Sequence, residues 1–260
     1  MTALNLAFQE FGHANKPPLI ILHGFFASSR NWRVIAEKLA DSYHVFVPDL
    51  RNHGASPHHP LLDYPSMATD LLAFMATHTT TPPHLLGHSM GGKVAMWCAL
   101  NYPNQLNKLL IIDIAPRSYE HSFDPLITAL QALPLTQLTQ RKQAEHWLSD
   151  YIPDLSYRQF LLQNLLLTDA GYKWRIDLTV FKKMAHHIVA FPKTEQIIPF
   201  TRPTTFICGQ DSDYCHLKHC QQLFPNAQQI NIENAGHWLH AQQPEAFLQQ
   251  VREVLRQPLN

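Results

Sequence analysis

An α/β domain built on a mostly parallel, doubly wound sheet is the fold class that this 260-residue sequence predicts, on three observations. Short β-rich apolar runs alternate with stretches of helical periodicity, as the strands and crossover helices of a parallel sheet do. The pentapeptide Gly87-His88-Ser89-Met90-Gly91, followed by Gly92, lies where one such run meets one such helix. One long stretch, Arg117 to Phe200, breaks the alternation.

Taken in order, Leu4 to Gly12 reads as an antiparallel edge strand or hairpin. Leu19-Ile20-Ile21-Leu22-His23 is the first strong strand, followed by a helical pattern at Asn31 to Asp41. Val45-Phe46-Val47-Pro48 is the second, followed by a helix over Tyr64 to Thr77. His84 to Gly87 leads into the pentapeptide, and Lys93 to Leu100 continues as helix up to Asn101-Tyr102-Pro103. Leu109 to Ile112, Thr204 to Cys208 and Gln228 to Ile232 complete the strands, with helices at Leu217 to Phe224 and Pro244 to Arg256. Between Arg117 and Phe200 no strand reads, only Leu-, Gln- and aromatic-rich helical stretches punctuated by Pro134, Pro153, Gly171 and Pro192. The chain therefore divides into a core of residues 1–116 and 201–260 and a helical lid of residues 117–200, inserted after the sixth strand. Open α/β sheets bind ligands at the carboxyl ends of their strands, so an insertion leaving from Asp113-Ile114-Ala115-Pro116 stands over Ser89. Its apolar residues, Phe123, Leu126, Ile127, Leu130, Trp147, Tyr151, Phe160 and Phe181 among them, are read as packing before substrate contact.

Twenty basic residues balance twenty acidic ones, which gives no electrostatic reason to expect nucleic acid or an anionic membrane as partner. No apolar stretch approaches the roughly 20 residues that span a bilayer. Met1 to Lys16 lacks a basic segment followed by an apolar core, so no secretory signal is expected and the cytoplasm is the expected compartment. Cys98, Cys208, Cys215 and Cys220 are few and unevenly placed, and reduced thiols are expected. Cys215-His216-Leu217-Lys218-His219-Cys220 is the one spacing that invites a metal, but closed zinc sites draw ligand pairs from separated segments, and a helix surface is the reading adopted. Most of the seventeen histidines have no partner at ligand spacing and read as surface residues.

The Gly-x-Ser-x-Gly pattern suits a serine on a sharp, strained strand-to-helix turn, and Ser89 is the candidate nucleophile. A serine hydroxyl needs a base, itself oriented by a third group. His237, in Ala235-Gly236-His237-Trp238 after the last strand, is the candidate base. His88 adjoins Ser89 but points elsewhere in a tight turn, and reads as a packing or pocket residue. Two acids precede His237 at strand ends, Asp113 and Asp211, and order alone does not choose between them. The backbone N–H groups of Met90 and of Phe25, in His23-Gly24-Phe25-Phe26, are the candidate oxyanion donors. Phe26, His88 and Trp238 are the candidate substrate contacts.

His23-Gly24-Phe25-Phe26, Asp49-Leu50-Arg51-Asn52-His53-Gly54-Ala55-Ser56, Gly87 to Lys93, Asp113-Ile114-Ala115-Pro116 and Ala235-Gly236-His237-Trp238 together resemble the α/β-hydrolase superfamily, and within it the bacterial YbfF-type esterases. The resemblance runs from about Leu19 to Leu255 and is weakest in the lid. It implies an α/β-hydrolase fold and a cofactor-free, metal-free serine esterase acting on carboxylic esters or acyl thioesters. It places the triad acid on Asp113. Two departures stand out: Ala27 where the oxyanion loop usually has glycine, expected to tighten the acyl pocket, and Asp211 where the group carries a non-acidic residue, which keeps Asp211 open as the alternative acid. The aromatics Phe25 and Phe26 and the apolar lid point to short or medium acyl chains on a small-molecule ester, handled by a monomer or homodimer. The alternatives are C–C bond hydrolysis or a cofactor-free lyase reaction on the same fold, or a non-catalytic ligand receptor.

Overall fold

The computed structural model describes residues 2–257. Along the chain come β1 (Phe8–Phe11), β2 (Pro18–Leu22), α1 (Arg33–Leu39), β3 (His44–Pro48), α2 (Tyr64–His78), β4 (His84–His88), α3 (Met90–Asn101) and β5 (Leu109–Ile112). An insertion follows, made of α4 (Asp124–Ala132), α5 (Arg141–Leu148), α6 (Leu155–Leu162), β6 (Leu165–Thr168), β7 (Gly171–Trp174) and α7 (Leu178–Val189). The chain returns through β8 (Thr204–Gly209), β9 (Ala227–Ile232), α8 (Leu239–Gln242) and α9 (Pro244–Arg256).

The main sheet has the order β1-β3-β2-β4-β5-β8-β9 and is parallel except for the edge strand β1. Its central strands are buried along their length, Pro18 at the start of β2 excepted, because helices cover both faces, as parallel sheets require. The two-residue period of a strand divides them between two cores. Ile20, Leu22, Leu85 and Ile111 pack with Leu71 of α2 and Val94 of α3, while Leu19, Ile21, Leu86 and Leu110 pack with Ile35 of α1 and Val251 of α9. The first of these cores continues into the insertion through Ile127, Leu130 and Phe181, so the insertion rests on the sheet domain over an apolar contact.

Four expectations are corrected. The insertion is not wholly helical, since Leu165–Thr168 and Gly171–Trp174 form an antiparallel hairpin turned at Gly171, which has φ 100°. A single strand, not a hairpin, precedes β2, so the insertion leaves after the fifth strand instead of the sixth. Leu217–His219 is one 3-10 turn, and no helix runs to Phe224, because Phe224 and Cys220 turn inward to the core. Cys208 and Cys215 are bonded to each other, with Cα atoms 5.9 Å apart, where free thiols were expected.

Candidate active site

Ser89 sits at the junction of β4 and α3 with φ 52° and ψ −120°, a conformation that costs energy for any residue with a side chain. The turn is possible because its flanks lack side chains. A Cβ on Gly87 would lie 2.4 Å from the Gly91 carbonyl oxygen, and one on Gly91 would lie 2.5 Å from that of Leu22. The serine is thereby lifted out of the sheet at the carboxyl ends of the strands, with α3 starting beneath it.

The imidazole of His237 lies between Ser89 and Asp113. Its Nε2 is 3.0 Å from Ser89 Oγ and its Nδ1 is 2.7 Å from Asp113 Oδ2. Because a carboxylate accepts from Nδ1–H, the neutral ring presents Nε2 as acceptor for the serine proton. Asp113 is fully buried and itself adopts a positive φ of 49° just after β5. Its Oδ1 accepts from Gly209 N–H at 3.0 Å, and its Oδ2 also accepts from Ser212 Oγ–H at 2.5 Å. The Tyr214 ring stacks on His237 with centroids 4.2 Å apart. Asp211 stands in the same loop, but its side chain is exposed, and its part in the site is a backbone N–H donated to the Ala235 carbonyl, which seats the loop carrying His237. The disulfide Cys208–Cys215 closes the loop holding Gly209, Ser212 and Tyr214.

His88 lies behind the triad. Its Nε2–H donates to the His237 carbonyl at 2.8 Å, and burial, reinforced by the neighbouring His237, holds its pKa well below the ordinary 6.5. It therefore positions the histidine loop as a neutral donor while also lining the cavity. Eleven of the seventeen histidines reach the surface at least in part, as expected of most of them, and His88 is buried as a packing and pocket residue; His23, His44, His53, His84 and His240 are buried as well. His23 shows why: its Nδ1–H donates to the Gly24 carbonyl and its Nε2 accepts from Leu50 N–H, so the ring ties the loop after β2 to the loop after β3. Burial lowers its pKa, which suits the acceptor role.

The loop after β2 passes beside the serine; a Cβ on Gly24 would lie 3.4 Å from Ser89 Cβ. Phe25, the residue that follows, and Met90, first in α3 and so carrying an N–H without an intrahelical acceptor, both line the cavity. Phe26 has φ 62°, and its carbonyl accepts from Asn164 Nδ2–H at 2.7 Å. Asn164 belongs to the insertion, as does Phe181, whose ring stacks on Phe25 at 4.5 Å. The insertion thus braces the Phe25–Phe26 loop directly. Ala27 is buried but is not among the described residues lining the cavity, so it does not narrow it as expected. The Asp49-Leu50-Arg51-Asn52-His53-Gly54 segment supports the loop after β2, the His53 ring meeting those of Phe25 and Phe181 at 5.7 and 4.9 Å between centroids. Asp49 accepts from Ser29 N–H and Ala55 N–H, and Arg51 forms a buried bidentate pair with Asp70 at 2.7 and 2.8 Å.

Ser89 and His237 open into a cavity of about 310 Å³ between sheet domain and insertion. Phe26, Trp238, Phe123, Phe160 and Ile188 give it apolar walls, and Trp238 meets Tyr157 and Phe160 of α6 at 5.4 and 5.8 Å between centroids. Lys93 also reaches it. Burial, and secondarily Arg117, push its ammonium down to about 7, while three carbonyl acceptors at the end of α7 favour the charge. Lys93, Asn164, Ser212 and Tyr214 were not singled out from the sequence; Lys93 alone carried a signal, one helical turn beyond Ser89.

Among the described residues no helix is long and apolar enough to cross a membrane. Residues 17–244 match the model of the α/β hydrolase fold family. The chain is 33% identical over 245 residues to the esterase YbfF of Escherichia coli, covering 93% of this chain and 94% of that protein. It is 34% identical over 255 residues to the mouse sn-1-specific diacylglycerol lipase ABHD11, covering 94% of this chain and 82% of that one. The solved structure of a marine microorganism esterase superposes with a TM-score of 0.92 at 38% identity, over 96% of this chain and 99% of that one. With its parallel sheet, elbow and interposed histidine, the chain belongs to the α/β-hydrolase family, in the group of the YbfF-type esterases.

Proposed function

We propose that this protein is a serine hydrolase that cleaves carboxylic esters, and acyl thioesters, of short to medium acyl chains through an acyl-enzyme on Ser89. The observation that carries the reading is the continuous hydrogen-bonded line from Ser89 Oγ through His237 to buried Asp113, opening on a mainly apolar cavity. Ser89 Oγ attacks the acyl carbonyl as His237 Nε2 takes its proton, and Asp113 holds the ring and stabilises the imidazolium. The Phe25 and Met90 N–H groups receive the negative charge that develops on the carbonyl oxygen. His237 returns the proton to the departing alkoxide or thiolate. Water then repeats the sequence against the acyl-enzyme, so every proton transfer is served by residues of the chain.

Initial rates on p-nitrophenyl esters of graded acyl length and on acyl thioesters test this reading, each measured with and without a chelator. Turnover is expected to favour short and medium chains and to survive chelation. A panel without hydrolysis, or activity abolished by the chelator, contradicts it.

A further inference from the structure

Lys93 is almost wholly buried one turn after Ser89 on α3, and the proposed chemistry does not use its ammonium. Nζ donates to the carbonyls of Ile188 at 3.3 Å, Val189 at 2.9 Å and Ala190 at 2.8 Å. These lie at the C-terminus of α7, where carbonyls lack intrahelical partners and the helix end is negative. The same turn is held by Tyr64 Oη–H, donating to the Ile188 carbonyl at 2.7 Å, and by Tyr119 N–H, donating to the Val189 carbonyl at 3.0 Å. The Tyr119 ring centroid is 4.7 Å from Nζ. Lys93, Ile188 and Val189 all line the cavity that contains Ser89. One cation therefore fastens a cavity wall contributed by the insertion to the helix that starts at the nucleophile.

We infer that Lys93 is a specificity-determining residue, which sets the length of substrate chain the cavity accepts by holding the Ile188–Val189 wall at a fixed distance from Ser89. The inference rests on the ester-hydrolase reading for its substrate class but not for its geometry. A chain reaching past this wall has to displace the last turn of α7, and displacement breaks charge-assisted hydrogen bonds that a shorter chain leaves intact. Lys93 acts through the wall and not on the reacting atoms, so its removal alters the preference among chains more than the reaction of the shortest.

The test compares wild type and Lys93→Met by the rate at which Ser89 is labelled by alkyl fluorophosphonates of increasing chain length, with kcat and KM for the matching p-nitrophenyl esters alongside. Each methylene newly admitted to an apolar pocket is worth about tenfold or more, so the long-to-short ratio is expected to rise at least about tenfold in Lys93→Met, mainly through KM. Labelling by the shortest probe is the internal reference, so a change common to all probes divides out and only the shape of the profile is read. A profile that keeps its shape while all rates fall together overturns the inference. Should Lys93→Met not fold, Val189→Gly and Ile188→Ala remove the wall but keep the ammonium, and an unchanged length preference in both overturns it equally. Labelling without turnover of any ester counts against the esterase reading alone, because the labelling profile still reports the wall.

Discussion

Replacing Asp113 by asparagine separates the two acids and can be worked through from the geometry. Three donors converge on the Asp113 carboxylate: Gly209 N–H on Oδ1, and Ser212 Oγ–H and His237 Nδ1–H on Oδ2. An asparagine has one acceptor oxygen, so its NH₂ must face one side of this set. Turned toward Gly209, it meets a backbone proton that cannot rotate away. Turned toward His237, it meets a hydroxyl that can rotate and an imidazole that can change tautomer, so this orientation wins. His237 then carries its proton on Nε2, facing Ser89, and cannot accept the serine proton. Loss of the correct tautomer is worth about 10⁴-fold in kcat, or about 5 kcal/mol of transition-state stabilisation. The exposed Asp211 carboxylate makes no comparable contact, and Asp211→Asn should cost about twofold or less, as exposed substitutions usually do. Steady-state rates on a short p-nitrophenyl ester, with thermal melts confirming that both variants fold, provide the assay. Near-wild-type kcat in Asp113→Asn, or a loss in Asp211→Asn as large as the one forecast for Asp113, refutes the reasoning.

Breaking the fully buried Arg51–Asp70 pair by Arg51→Ala leaves an uncompensated carboxylate and should cost about 3–5 kcal/mol in urea unfolding; a loss below about 1 kcal/mol contradicts the structural role given to it. His240 is buried against Trp32, with rings 4.3 Å apart, and its pKa is lowered from 6.5 to about 3 by burial and next by His237. The unfolded chain therefore binds more protons than the folded one across that window, so stability is lost as pH falls from 6.5 toward about 3, by up to about 5 kcal/mol through this residue. His240→Phe should flatten this part of the profile in unfolding titrations, and an unchanged slope rules it out. Asn164→Ala removes the brace on the Phe26 carbonyl and should lower kcat about tenfold with KM nearly unchanged, in keeping with one interaction serving the transition state; equal kcat values disconnect the insertion from the oxyanion loop.

The sheet was legible because its strands are short, continuous apolar runs such as Leu19-Ile20-Ile21-Leu22, which nothing but burial on both faces explains. Ser89 and His237 were legible because their positions at strand ends follow from local sequence. The hairpin Leu165–Thr168 and Gly171–Trp174 was not. Its strands are only four residues long, and Leu167 is 67% exposed, so no inside–outside alternation marks it. Leu217 to Phe224 reads as a helix by spacing, but Cys220 and Phe224 are drawn into the core beside β8, and tertiary packing overrides the local preference. The contacts of Asp113 with Gly209 and Ser212, and of Asn164 with Phe26, join residues 96, 99 and 138 positions apart, which no local pattern encodes.

Mass-spectrometric trapping of the covalent intermediate decides whether Ser89 is the nucleophile. After brief incubation with a fluorophosphonate or a slowly deacylated ester, a single adduct is expected, on the peptide containing Ser89. No adduct is expected in Ser89→Ala, which keeps its fold but loses about 10⁴-fold or more in kcat. An adduct on another residue, or a Ser89→Ala protein that keeps more than about 1% of wild-type turnover, contradicts this assignment.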